Sequence, residues 1–242
     1  MQIAFRRALR LLLVYIGRLL CHLLFRVTIE GVDHASRPPH GLLVISNHFS
    51  WFDAPIISLL LPYPPAYLIA TEAIDNRWIR PFTTVFESIP IWRGQVDRQA
   101  LTTAVQRLRA GEIVGIFPEG GINPDLADTV ARGEQIAELQ GNMSRTNGSL
   151  IRAKSGVALL ATMSGTQLLP VALLGSQHIL DNLRQWRRTP LTLRIGPTFG
   201  PLVLESELKG AARRQRMDQL ADEMMRHVAA LFPPENRGYY AE

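Results

Sequence analysis

The chain has 242 residues, a single cysteine, 47% apolar and 19% charged residues. It is too apolar for a disordered chain and too poor in cysteine for a disulfide-stapled scaffold, and it is long enough to bury a sizeable core in one or two domains. Lys and Arg number 26 against 21 Asp and Glu, a net charge of +5, which suits anionic partners: nucleic acid, an acidic membrane surface or a phosphorylated substrate. Cys21 has no partner for an internal disulfide, as expected of a reducing compartment.

Residues 1–30 are densely apolar, but Arg6, Arg7, Arg10, Arg18 and Arg26 break the run repeatedly. A spanning helix needs about 20 apolar residues in succession, so this segment does not read as one. It also lacks the small-residue cleavage pattern of a secretory signal. At about 100° per residue, Arg6, Arg7, Arg10, Val14, Arg18 and His22 fall on one arc of roughly 160°, with most of the leucines outside it. The pattern predicts an amphipathic helix lying in a membrane interface, arginines toward lipid phosphates and leucines toward acyl chains. The plainer alternative is a helix docked on its own core.

Residues 31–242 alternate apolar runs with helical periodicity, which predicts one α/β domain. Strands are expected over 41–46, 66–70, 88–92, 112–117, 167–174 and 191–195. Helices are expected over 51–61, 97–109, 149–164 and 206–231. Residues 122–148 are polar and turn-rich, and read as an extended loop insertion with a short helix near 134–139. The basic residues are interleaved with leucines rather than gathered beside stacking aromatics, so nucleic acid is not an expected partner.

The most informative stretch is Ser46-Asn47-His48-Phe49-Ser50-Trp51-Phe52-Asp53, where a strand ends and a helix starts. Open α/β sheets place their sites at such points. Ser50 and Asp53 have the spacing of a capping box. That spacing also lets the Asp53 carboxylate accept an imidazole N–H of His48, leaving the other nitrogen to take a proton. No nucleophile elbow accompanies the pair, so the base is expected to activate a hydroxyl carried by the substrate. Three further clusters follow strands or open helices: Phe117-Pro118-Glu119-Gly120, Arg93 after Ile89-Pro90-Ile91-Trp92, and Lys154-Ser155-Gly156. A glycine permits close backbone approach, and arginine and lysine suit phosphate.

These residues together resemble the glycerolipid acyltransferase family, whose best-known members are 1-acylglycerol-3-phosphate acyltransferases. Asn47-His48-x-x-x-x-Asp53 is similar to the family's first block, Ile89–Arg93 to its second, Phe117–Gly120 to its third and Leu169-Pro170-Val171-Ala172 to its fourth. Lys154-x-Gly156 and the ending Pro233–Tyr240 also match common features. The resemblance implies an α/β acyltransferase domain with a largely parallel central sheet flanked by helices, working at a membrane surface. It implies His48 as the base assisted by Asp53, with Arg93, Glu119, Gly120 and Lys154 holding substrate. It implies no metal or prosthetic group, a thioester of coenzyme A or acyl carrier protein as donor, and a lysophospholipid acceptor. The expected location is peripheral or monotopic on the cytoplasmic face of the cell membrane. Many members continue the third block with Thr-Arg-Ser, whereas Gly121-Ile122-Asn123 follow here. Arg145 and Arg152 are the candidates to replace the absent charge. The rival from another class is a non-catalytic membrane-surface protein in which His48 and Asp53 only cap a helix.

Overall fold

The computed structural model describes residues 2–36, 40–74, 77, 79–92, 97–122, 139–140 and 143–241. Helix α1 (Gln2–Leu24) opens the chain and passes directly into strand β1 (Phe25–Glu30). Strand β2 (Leu42–Ser46), helix α2 (Asp53–Leu60) and strand β3 (Ala66–Ala70) follow. Next come two short helices, α3 (Thr71–Ile74) and α4 (Arg80–Val85), then β4 (Ile89–Ile91), α5 (Arg98–Arg109) and β5 (Ile113–Ile116). A small hairpin, β6 (Leu139–Gln140) with β7 (Ser144–Arg145), precedes α6 (Gly156–Ser164), β8 (Gln167–Leu174), α7 (Ile179–Arg184), β9 (Thr189–Ile195) and the closing α8 (Gly210–Ala229).

Seven strands form one sheet in the order β1-β9-β8-β2-β5-β3-β4. All neighbours are parallel except β8 and β9. The fold is therefore α/β, as the sequence pattern predicted, with the mostly parallel sheet that the resemblance implied. Strand β2 sits at the centre, and Leu42, Leu43, Val44 and Ile45 are fully buried because helices cover both faces. Leu43 and Ile45 pack toward α5, α6 and α8 through Val105, Leu108, Leu160 and Met224. Leu42 and Val44 pack toward α2 and the end of α1 through Ile56, Ile57 and Cys21.

The N-terminal helix ends at Leu24 rather than near residue 30. Phe25–Glu30 alternates buried and exposed side chains and pairs with β9 along its whole length. Val27-Thr28-Ile29 is a β-branched run suited to an edge strand, a signal masked by the arginine and leucine pattern before it. The helix also docks differently from expectation. Val14, Gly17, Arg18 and Cys21, spaced along one helical face, turn toward the protein. Arg18 donates from Nε to the Leu59 carbonyl at 2.7 Å and from Nη2 to that of Leu61 at 2.8 Å, capping the end of α2 with a cation. Leu11, Leu12, Tyr15, Leu19 and Leu23 are left exposed. The side chains of Arg6, Arg7 and Arg10 lie outside the described residues. No helix among the described residues is long and apolar enough to cross a membrane.

The helix expected over 149–164 forms only from Gly156. Residues 149–153 are extended because the C-terminal tail binds them: Leu150 N–H donates to the Asn236 carbonyl, Tyr239 N–H to the Leu150 carbonyl, and Ala153 N–H to the Tyr240 hydroxyl. Within the insertion, residues 123–138 and 141–142 lie outside the described part. The short helix expected near 134–139 falls there, apart from Leu139, which is in β6.

Candidate active site

The site grows from the carboxyl end of β2. As the strand stops at Ser46, the Asn47 side chain takes over its pairing: Nδ2 donates to the Leu173 carbonyl at 3.0 Å, and Leu173 N–H donates to Oδ1 at 2.9 Å. The amide thus mimics one more ladder residue and frees the backbone to turn at His48. At the first residue of α2, Asp53 is fully buried. Its Oδ2 accepts from Phe49 N at 2.6 Å, from Ser50 N at 2.7 Å and from His48 Nδ1 at 3.0 Å. Two backbone amides therefore hold the carboxylate aimed at the ring. With Nδ1 bound to the carboxylate as donor, Nε2 is left as the acceptor nitrogen, and it has no hydrogen bond among the described residues. The His48 side chain is 13% exposed, sheltered but reachable.

Half of the expected capping box forms. Asp53 accepts the Ser50 N–H, but the Ser50 hydroxyl bonds Ser144 Oγ at 2.8 Å instead of capping the helix. The β7 strand draws it away: Trp51 N–H donates to the Met143 carbonyl and Arg145 N–H to that of Phe49. The hairpin thus clamps the His48 loop.

The ring of His48 stacks on Phe117, with centroids 4.0 Å apart, and Phe117 stacks on Tyr67 at 4.8 Å. The pile fixes the imidazole plane. It requires Gly115, since a β-carbon there would meet the Tyr67 ring at 2.6 Å. Burial, aided by the charge on Asp53, pushes the Tyr67 phenol well above its ordinary pKa, so it stays neutral.

Glu119, expected to hold substrate, is fully buried. Its Oε1 accepts the His48 N–H at 2.8 Å, and its Oε2 is ion-paired with Arg145 and accepts from Ile151 N at 3.4 Å. Arg145 is also fully buried. Its remaining donors reach the carbonyls of Ile122 and Gly121, both at 3.2 Å, and its guanidinium lies over the Phe49 ring at 5.4 Å. The arginine absent after Gly120 is thus matched in space by one from β7, committed to Glu119 rather than facing solvent. Arg152 instead lies 3.7 Å from Asp222. Gly120 adopts a left-handed φ of 79°, and a β-carbon there would meet Lys154 Cγ at 2.8 Å, so Lys154 lies across the turn. The Lys154 N–H ties this segment to the Pro118 carbonyl at 2.8 Å.

The structure therefore gathers His48, Asp53, Glu119, Gly120 and Lys154 around the ends of β2 and β5. Arg93 lies outside the described residues. Sequence reasoning missed Arg145 as the partner of Glu119, and it missed the Phe117–Tyr67 pile. No local signal in the sequence marks either one. No group of acids, histidines and cysteine suited to a metal occurs among the described residues.

A family model described as Acyltransferase matches residues 26–174. Over 81 residues, 33% of this chain, the sequence is 32% identical to the 1-acyl-sn-glycerol-3-phosphate acyltransferase of Bacillus subtilis (strain 168), and the match spans only 41% of that relative's length. The fold is similar to the crystal structure of the 1-acyl-sn-glycerophosphate (LPA) acyltransferase from Thermotoga maritima, with a TM-score of 0.59 at 20% identity over 92% of this chain and 80% of that one. A matched span of 26–174 runs from β1 through β8 and contains the His48–Asp53 pair, the Glu119 turn and the sheet that carries them, and on that ground the chain belongs to the acyltransferase family.

Proposed function

We propose that the protein transfers a fatty acyl group from a thioester of coenzyme A or acyl carrier protein to the hydroxyl of a lysophospholipid, with 1-acylglycerol 3-phosphate the first-choice acceptor and phosphatidic acid the product, a step of phospholipid biosynthesis. The observation that carries this reading is the His48–Asp53 pair, with Asp53 Oδ2 gripped by two backbone amides and the ring locked against Phe117.

His48 Nε2 removes the proton of the acceptor hydroxyl as its oxygen attacks the thioester carbonyl carbon. Asp53 steadies the imidazolium that results. The tetrahedral intermediate collapses, the C–S bond breaks, and the departing thiolate takes the proton from His48. Holding both substrates in line supplies about 7–11 kcal/mol of barrier reduction when the geometry is good. Lys154 and Arg93 are assigned to the acceptor phosphate, and Glu119 to the His48 loop. The exposed leucines of α1 support a peripheral seat on the membrane, where lipid acceptor and acyl chain are found.

A second acceptor, a glycolipid or another lysolipid, is favoured by one observation: Arg145 spends its charge on Glu119 and offers none to an acceptor phosphate. Purified protein assayed against an acceptor panel separates the two, since preference for a phosphate-free acceptor would remove the first choice. His48→Ala should lower transfer at least about 10²-fold, the usual worth of a general base, with fold and membrane binding kept. Unchanged turnover would favour the non-catalytic reading.

A further inference from the structure

The segment Leu183-Arg184-Gln185-Trp186-Arg187-Arg188, the last residues of α7 and the loop that leads to β9, is exposed at every position. Its indole is 97% exposed, and Trp186 holds a left-handed φ of 55°. A bulky side chain rarely adopts that conformation, and such strain persists only where surrounding structure enforces it. Here the backbone enforces it: Gln185 N–H donates to the Asp181 and Asn182 carbonyls, Trp186 N–H to that of Leu183, and Arg187 N–H to that of Asn182. The loop is a rigid platform for a tryptophan flanked by arginines.

Arg188 joins this platform to α1. Its Nη2 donates to the carbonyls of His22 and of Phe25, the latter at 2.6 Å, where the exposed leucines 19, 20, 23 and 24 end. The strand register fixes where this patch lies. Ser46 is level with Val171, Val171 with Ile195, and Thr189 with Phe25. Because β9 runs against β8, the start of β9 and of β1 lies at the sheet end from which His48 projects. Three strand steps separate β2 from β1, about 14 Å at about 4.8 Å per step.

We propose that Trp186, Arg184 and Arg187 form a second bilayer contact that takes the headgroup phosphates and glycerol layer of an anionic membrane, continuous with the leucine face of α1. The proposal deepens the membrane-surface reading above and rests on it. Indole rings favour the membrane interface and arginines favour anionic headgroups, so the loop fits such a lipid surface in both respects. Binding of an interfacial helix scales with its buried apolar area plus its attraction to anionic lipid, and a basic cluster beside the helix adds to the second of these. With both contacts engaged, the His48 end of the sheet is held at the depth of the acceptor headgroup.

The test uses the full chain and vesicles of phosphatidylcholine, with or without about one quarter phosphatidylglycerol. Replacing Arg184 and Arg187 with Gln should weaken partition onto the anionic vesicles roughly 25-fold, about five-fold per arginine, and leave the weak binding to neutral vesicles unchanged. Brominated lipid should quench wild-type tryptophan emission, and Trp186→Phe should remove most of that quenching. Trp186→Asn should match wild type in melting temperature, since Asn tolerates the left-handed backbone. Transfer to a micellar acceptor, read in parallel, should be unchanged in all these variants. Vesicle binding that persists undiminished in the arginine variant, or quenching equal to wild type in Trp186→Phe, overturns the loop proposal while leaving the acyl-transfer reading intact. Failure of the wild-type chain to bind vesicles at all overturns the membrane seat with it. Arginine-dependent binding to a soluble polyanion in place of vesicles would assign the patch to a different partner.

Discussion

Replacing Arg145 with Met tests how the site is braced. The substitution removes the ion pair to Glu119 and the bonds to the carbonyls of Ile122, Gly121 and Ser149. It leaves a fully buried carboxylate whose Oε2 keeps only the Ile151 N–H at 3.4 Å. Breaking one side of a buried pair costs about 3–5 kcal/mol, a large share of the roughly 5–15 kcal/mol that holds a domain folded. Urea denaturation should show that loss. Adding Glu119→Gln to the same chain should recover most of it, because both charges are then gone and the amide oxygen still accepts the His48 N–H. The kinetic effect follows from geometry: Glu119 Oε1 holds the His48 backbone, and a displacement of about 1 Å costs on the order of 10²-fold in rate. Turnover should fall equally for phosphorylated and phosphate-free acceptors, with KM for the acceptor little changed. Arg145→Lys, which keeps the charge but not the planar fork, should lie between. A variant of normal stability whose KM rises only for phosphorylated acceptors would refute this reasoning and make Arg145 a phosphate ligand.

Further outcomes are expected. Asp53→Asn should reduce transfer by roughly 10²–10⁴-fold while the fold survives, read by kcat with circular dichroism as control. Gly115→Ala should cost about 1–3 kcal/mol by overpacking against Tyr67 and should slow transfer through the displaced Phe117–His48 stack, measured by thermal melting and kcat together. Burial raises the Cys21 thiol from 9.0 to about 11, so alkylation at pH 8 should be far slower in the folded chain than in denaturant. The sign for stability follows: the unfolded thiol ionises first, so the contribution is intact below pH 9 and declines as pH rises toward 11, visible as a falling melting temperature.

Pattern and spacing alone determined the α/β class, the strand Leu42–Ser46 and its neighbours, and the His48-to-Asp53 interval. Each of these is a local property: a fully buried strand must be apolar on both faces, and residues five apart across a helix start are within reach of each other whatever surrounds them. The edge strand Phe25–Glu30 was hidden because its alternation is short and adjoins a stronger helical signal, and its partner β9 lies more than 160 residues away. The same distance argument covers Arg145. Nothing near it in the chain calls for a buried cation; only the return of β7 to the Ser50 loop brings it under Glu119. Tertiary structure likewise decided the face of α1. Helical periodicity separates arginines from leucines, but it does not say which side meets protein, and Arg18 found the open carbonyls at the end of α2. Contacts whose energy is released only when distant segments meet leave no periodic trace in sequence, which is why the His48–Asp53 pair was legible early and its bracing was not.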